Sequence, residues 1–124
     1  MINNYFGSDL NKFIHEDCTR EMTCINIDCA LLKFSKKRMM LIESKHDGEH
    51  FPKQQRNLLE ILAGIFSRFK LDIEREFGFQ VGVYVVRGNQ PYHNSTVTDL
   101  ATNMDYVLPT QKDLIQWLEF NKEL

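Results

Sequence analysis

Absences narrow this chain first. Its 124 residues hold three cysteines, an odd number, and their gaps do not make the paired knuckles of a structural zinc site. No apolar stretch follows Met1-Ile2-Asn3-Asn4 in the manner of a secretory leader, and no hydrophobic run approaches the length of a membrane span. The expectation is a reduced, cytoplasmic setting with no structural disulfide and no membrane partner. Internal repeats, low-complexity tracts and an evident linker are also missing. With 43% hydrophobic and 26% charged residues, one domain over residues 1–124 with a single hydrophobic core is expected. A basic excess is lacking as well: 15 Lys plus Arg stand against 17 Asp plus Glu. The average field therefore does not attract a phosphate backbone, and any such binding needs a local patch.

What is present is a pair of apolar runs carrying three charges. Cys24-Ile25-Asn26-Ile27-Asp28-Cys29-Ala30-Leu31-Leu32 and Met39-Met40-Leu41-Ile42-Glu43-Ser44-Lys45 both read as strands, and Ser35-Lys36-Lys37-Arg38 between them reads as a tight turn. The result is a β-hairpin. A two-residue loop at Ser35-Lys36 sets Asp28 directly across from Glu43, whereas a loop at Lys36-Lys37 sets it across from Lys45. Side chains alternate with period two, so Asp28, Glu43 and Lys45 share a face in either register. In the first register two carboxylates stand about 5 Å apart and repel unless a cation bridges them. In the second, Asp28 and Lys45 form a plain cross-strand ion pair that needs no function. Ile, Leu and Met flank the charges on both parities, so the strands read as buried on both faces, where charges are paired or bound to a metal.

These residues resemble the core of the PD-(D/E)xK nuclease superfamily. Ile27-Asp28 stands where that family has Pro-Asp, and Glu43-Ser44-Lys45 matches its Glu-x-Lys. The likeness covers roughly residues 9–87, with a helix-like Leu10 to Asp17 stretch before the hairpin and a long helix from near Pro52, carrying Gln54-Gln55, after it. It implies a restriction-endonuclease-like α/β fold: a mixed four- to five-stranded sheet with an antiparallel hairpin core, flanked by helices. It also implies Mg²⁺ or Mn²⁺ held by Asp28, Glu43 and the backbone carbonyl of Ser44, with Lys45 positioning or deprotonating a water that attacks a phosphodiester. Glu16, or Glu21 in its place, is the acidic residue that the resemblance assigns to the first helix. Gln55, or Gln54, is the glutamine it brings close to the site. The implied substrate is nucleic acid, DNA ahead of RNA.

Gln55 can be read without the resemblance. Leu58, Leu59, Leu62, Ile65, Phe66 and Phe69 follow it at helical spacing, so its amide heads the buried stripe of an amphipathic helix. It either contacts the site or faces water at a helix end. Lys36, Lys37 and Arg38 at the hairpin turn, with Lys53 and Arg56 at the head of the second helix, are the candidate nucleic-acid patch; a solvated hairpin tip is the alternative for the turn. His46 reads as a strand-end residue or a phosphate contact. His15, Cys18, Cys24 and Cys29 fail as a zinc set on spacing.

The second half reads as support. Gln80 to Arg87 is β-branched enough for a central strand after a helical stretch that Gly78 ends, and Thr96 to Leu100 and Asp105 to Leu108 read as short strands. Thr110-Gln111-Lys112-Asp113 reads as a capping box, starting a helix that runs to the carboxyl end. Trp117 and Phe120 on it are core anchors or the contact of a homodimer. The functional expectation is a metal-dependent endonuclease. Its competitor is a catalytically inactive module of the same fold that binds a protein or nucleic-acid partner.

Overall fold

In the computed structural model, which describes residues 9–18 and 27–124, the elements run α1 (Asp9–Asp17), β1 (Cys29–Lys33), β2 (Arg38–Lys45), α2 (Lys53–Arg68), α3 (Lys70–Phe77), β3 (Gln80–Arg87), β4 (Ser95–Asp99), β5 (Met104–Leu108) and α4 (Gln111–Leu118). The strands form one mixed sheet in the order β1-β2-β3-β4-β5. Only β2 and β3 pair in parallel; the other neighbours are antiparallel. Parallel neighbours require a crossover, and α2 and α3 supply it. The α/β expectation and the strand number both hold.

The central strands are β2 and β3, and both are covered on each face. Alternate residues of β2 therefore enter two cores. Met40 and Ile42 join Val86, Val97, Leu108, Leu114, Trp117 and Phe120 beneath α4. On the other face Leu41 packs with Val83, Val85, Leu100, Leu59 and Ala63 beneath α2. This two-sided burial explains why Met39 to Ile42 is an unbroken apolar run instead of an alternating one.

Several sequence expectations shift. The hairpin loop is the four residues Phe34–Lys37, closed by Lys36 N–H to the Lys33 carbonyl and Lys37 N–H to the Phe34 carbonyl, with Lys37 in the left-handed region at φ 52°. Its midpoint nevertheless coincides with that of a Ser35-Lys36 loop, so Cys29 pairs with Ile42 and Lys33 with Arg38. The strand expected from Cys24 begins only at Cys29, which leaves Asp28 one residue outside the ladder; Cys24 to Asn26 lie outside the described residues. The long helix breaks at Phe69 into α2 and α3, with no Gly or Pro at the break. Gly78 ends α3 in the left-handed conformation, φ 74°, as a C-terminal glycine should.

The capping box at Thr110 is present in both directions: the Thr110 hydroxyl accepts from the Asp113 N–H, and the Asp113 carboxylate accepts from the Thr110 N–H. The helix it starts stops at Leu118, short of the carboxyl end. Trp117 is 2% exposed and meets the Tyr84 ring edge-on with centroids 5.0 Å apart, and Phe120 is buried under the Arg38 guanidinium. Both are core residues, the first of the two readings open for them. Among the described residues no helix is long and apolar enough to cross a membrane.

Candidate active site

The charged residues gather where β1 runs out. Beyond the Cys29–Ile42 pair the ladder stops, and the next free N–H of β2, that of Ser44, donates to Asp28 Oδ2 at 3.0 Å. Asp28 N–H in turn donates to Glu43 Oε2 at 3.4 Å. This exchange fixes Asp28 opposite Glu43, the first of the two registers the sequence allows. The two carboxyl groups lie close enough for the Asp28 charge to act on Glu43.

The helix that follows completes the arrangement. Pro52 stands at the N-cap of α2 with φ −58°, and Gln55, in the first turn, reaches Glu43 Oε1 with its amide at 2.7 Å. The same oxygen lies 3.5 Å from Lys45 Nζ, and Lys45 Nζ lies 3.5 Å from Glu49 Oε2 as well. The ammonium also sits 5.4 Å from the centre of the Phe51 ring. Asp28, Glu43, Lys45 and Gln55 are thus brought together at the carboxyl ends of the parallel strands, where open α/β sheets place their ligands.

Burial is uneven across the group. Glu43 is 2% exposed and Lys45 7%, whereas Asp28 lies open to solvent. Burial pushes the Glu43 carboxyl up to about 7, the Asp28 charge pushes in the same direction, and Lys45 offsets part of the rise. Glu49 is held below the usual carboxylate range, first by the His46 N–H that it accepts at 2.9 Å and then by Lys45. A buried carboxyl beside a solvent-facing one, with Glu49 a third, outnumbers the single Lys45 ammonium among them. The oxygen donors of Asp28 and Glu43, with the Ser44 carbonyl, are of the kind a hard divalent cation takes. Among the described residues no group of three or more His, Cys, Asp or Glu side chains is placed so that it could hold a metal ion, so any ion here rests on two carboxylates and a backbone carbonyl.

The other expected site residues do not join this network of bonds. Glu16 is exposed on α1, and no hydrogen bond or ion pair joins it to the group among the described residues. Glu21 lies outside the described residues. Gln54 is exposed beside Gln55 and does not take its place. The basic patch is split. Lys36, Lys37 and Arg38 sit at the opposite end of β2, and Arg38 lies five residues from Glu43, about 17 Å at 3.3 Å per residue. Arg38 is moreover ion-paired to Glu123 at 2.7 Å. Lys53 and Arg56, at the start of α2, are near the site; Arg56 lies 5.8 Å from the Phe51 ring centre. His46 is a strand-end residue whose Nδ1 lies 3.0 Å from Asn89 Oδ1. Of the zinc set, Cys18 is exposed and Cys29 packs toward the α4 core, while Cys24 lies outside the described residues.

Sequence reasoning missed Glu49, Phe51 and Arg87. Glu49 stands four residues after Lys45 in a segment legible only as a turn. Arg87 is the Cα partner of Lys45 across the parallel pair and donates to the Glu49 carbonyl at 3.0 Å. Its place becomes visible only once β3 is known to lie beside β2. No family model matches this chain, and no curated protein or solved structure matches it either.

Proposed function

We propose that this protein hydrolyses phosphodiester bonds in nucleic acid with Mg²⁺ or Mn²⁺, acting on DNA ahead of RNA in the cytoplasm. The supporting observation is the convergence on the Glu43 carboxyl, whose one oxygen accepts from the Asp28 N–H while Lys45 and Gln55 are both directed at the other. Asp28, Glu43 and the Ser44 carbonyl hold the ion, which when bound supplies Lewis acidity to the phosphate and lowers the pKa of a water. The chain's own residues do the positioning. Gln55 fixes one Glu43 oxygen so that the carboxylate keeps its orientation as its charge changes. Lys45, held between Glu43 and Glu49, donates a hydrogen bond that orients the attacking water.

The test is nicking of supercoiled plasmid in Mn²⁺ and in EDTA, with Asp28→Ala alongside. Nicking that needs the metal and falls at least 100-fold in the variant, the scale of losing one key electrostatic group, supports the reading. Absence of cleavage of DNA and of RNA under every divalent metal ends it. One observation favours the competing reading of an inactive binding module: a net charge of −2 provides no general attraction for a polyanion. Stable complex formation with nucleic acid or protein in the absence of any cleavage is the result that module predicts.

A further inference from the structure

The site does not end at Glu43. Successive Cα partners run in a straight row across the sheet from Glu43 to Val85, Thr98 and Asp105, so Asp105 stands about 14 Å from Glu43 at 4.8 Å per strand. Along this row, on the α2 side, lies a cavity of about 230 Å³ lined by Phe51, Arg56, Val85, Arg87, Thr98, Leu100, Asn103 and Asp105. It is contiguous with the carboxylate group, because the Phe51 ring lies against both Lys45 and Arg56 and because Arg87 is the Cα partner of Lys45.

The lining is sorted by chemistry. Arg56 and Arg87 bring two guanidinium groups to the lining, and Phe51, Val85 and Leu100 bring its apolar part. Arg87 spends one donor on the neutral Glu49 carbonyl and forms no ion pair among the described residues, so its charge and its other donors remain available to an anion. Arg56 is paired with Glu60 at 2.8 Å, but both side chains are more than 40% exposed, a pairing that a phosphate can displace at little cost. The far wall is polar and ordered: the Thr98 hydroxyl donates to Asp105 Oδ1 at 2.6 Å, and Asn103 is held at φ 59° by its N–H bond to the Asp99 carbonyl.

Resting on the phosphodiesterase reading above, we propose that this cavity is a nucleotide subsite for a strand whose base is unpaired. The phosphate next to the reacting one sits on Arg56 and Arg87, and the sugar and base meet the Thr98, Asn103 and Asp105 wall. Bidentate guanidinium donors fit a phosphate, and Asn and Asp side chains fit the hydrogen-bonding edges of a base. The volume of about 230 Å³ suits one nucleotide-sized group, and a base that reaches the far wall cannot stay paired. The preferred substrate is therefore single-stranded or frayed.

Calorimetric titration in EDTA tests the subsite apart from catalysis, with 2′-deoxynucleoside 5′-monophosphates, the matching nucleosides and inorganic phosphate as ligands. The monophosphate should bind about tenfold tighter than either the nucleoside or inorganic phosphate, the scale of one charge-assisted hydrogen bond. Arg87→Gln and Arg56→Gln should each weaken it about tenfold, and Asp105→Ala, by removing a base contact, should weaken the monophosphate and the nucleoside alike. Should Arg87→Gln fail to fold, the exposed Arg56 and Asp105 variants decide. Monophosphate binding that is undetectable at millimolar ligand, unchanged in the arginine variants, or matched by inorganic phosphate overturns the subsite. Metal-dependent nicking without monophosphate binding refutes the subsite and spares the phosphodiesterase reading. Monophosphate binding without nicking does the reverse.

Discussion

Strand β2 turns alternate residues toward two faces of equal depth and opposite chemistry. Toward α4 it presents Met40 and Ile42, packed with Trp117 and Phe120 in a wholly apolar core. Toward α2 it begins in the same way, with Leu41 among Val83, Val85 and Leu59, but then buries Glu43 and Lys45. Apolar burial stabilises by roughly 25 cal/mol per Å² removed from water. A buried ion pair contributes no such surplus, because its desolvation cost rivals its Coulomb gain, and an apolar replacement of similar volume is often as stable or more so. The α4 face is therefore explained by folding, whereas the end of the α2 face is not. Its charges are held in place by Asp28, Gln55 and Glu49, at a cost that folding stability does not explain.

The comparison can be broken from the apolar side. Trp117→Ala should destabilise the protein by about 3–5 kcal/mol, the usual range for an aromatic lost from a core, and this is read as a lowered midpoint in urea. It should leave the affinity of the folded protein for Mn²⁺ unchanged. A loss of metal binding in protein that is still folded would show that the two faces are not separable.

From the charged side the lever is pH. The Glu43 carboxyl titrates near 7 in the folded protein against an ordinary value of 4.5, so its protonated form favours the native state. That contribution is full below 4.5 and is lost as pH rises through about 7. Metal-free protein should be more stable at pH 5 than at pH 8, by at most a few kcal/mol, and Glu43→Gln should flatten this dependence in thermal melts. An unaltered profile in the variant would remove Glu43 as its cause. A smaller effect belongs to the distal helix: Thr110→Ala deletes one half of the capping box and should cost about 1 kcal/mol in the same melts, with no dependence on metal.

Much of this was readable from the chain, for reasons that also mark where reading stops. The hairpin was legible but its register was not: two turn positions were open, and the four-residue loop settles on the first because it shares a midpoint with Ser35-Lys36. The strand Gln80–Arg87 was legible in its β-branched run, and the break before it in Gly78. The end of β1 at Cys29 was not, because the apolar pattern continues past the point where pairing ceases. Nor was the break at Phe69, which carries neither Gly nor Pro. Trp117 and Phe120 could be placed inside or outside only after the sheet supplied Met40, Ile42 and Tyr84 as their partners. Among the candidate site residues, those linked by local spacing, Asp28, Glu43, Lys45 and Gln55, came together. The basic patch did not hold, because opposite ends of one strand are distant in space however near they are in sequence. Arg87 was invisible for the complementary reason: its proximity to Lys45 comes from strand order alone.

Calorimetric titration of Mn²⁺ into the metal-free protein at pH 8 bears most directly on the claim that Asp28 and Glu43 form a cation site. The account predicts saturable binding that is lost in Glu43→Gln and in Asp28→Asn, both of which remain folded. Absence of binding to the native chain, or binding that persists in both variants, would contradict it.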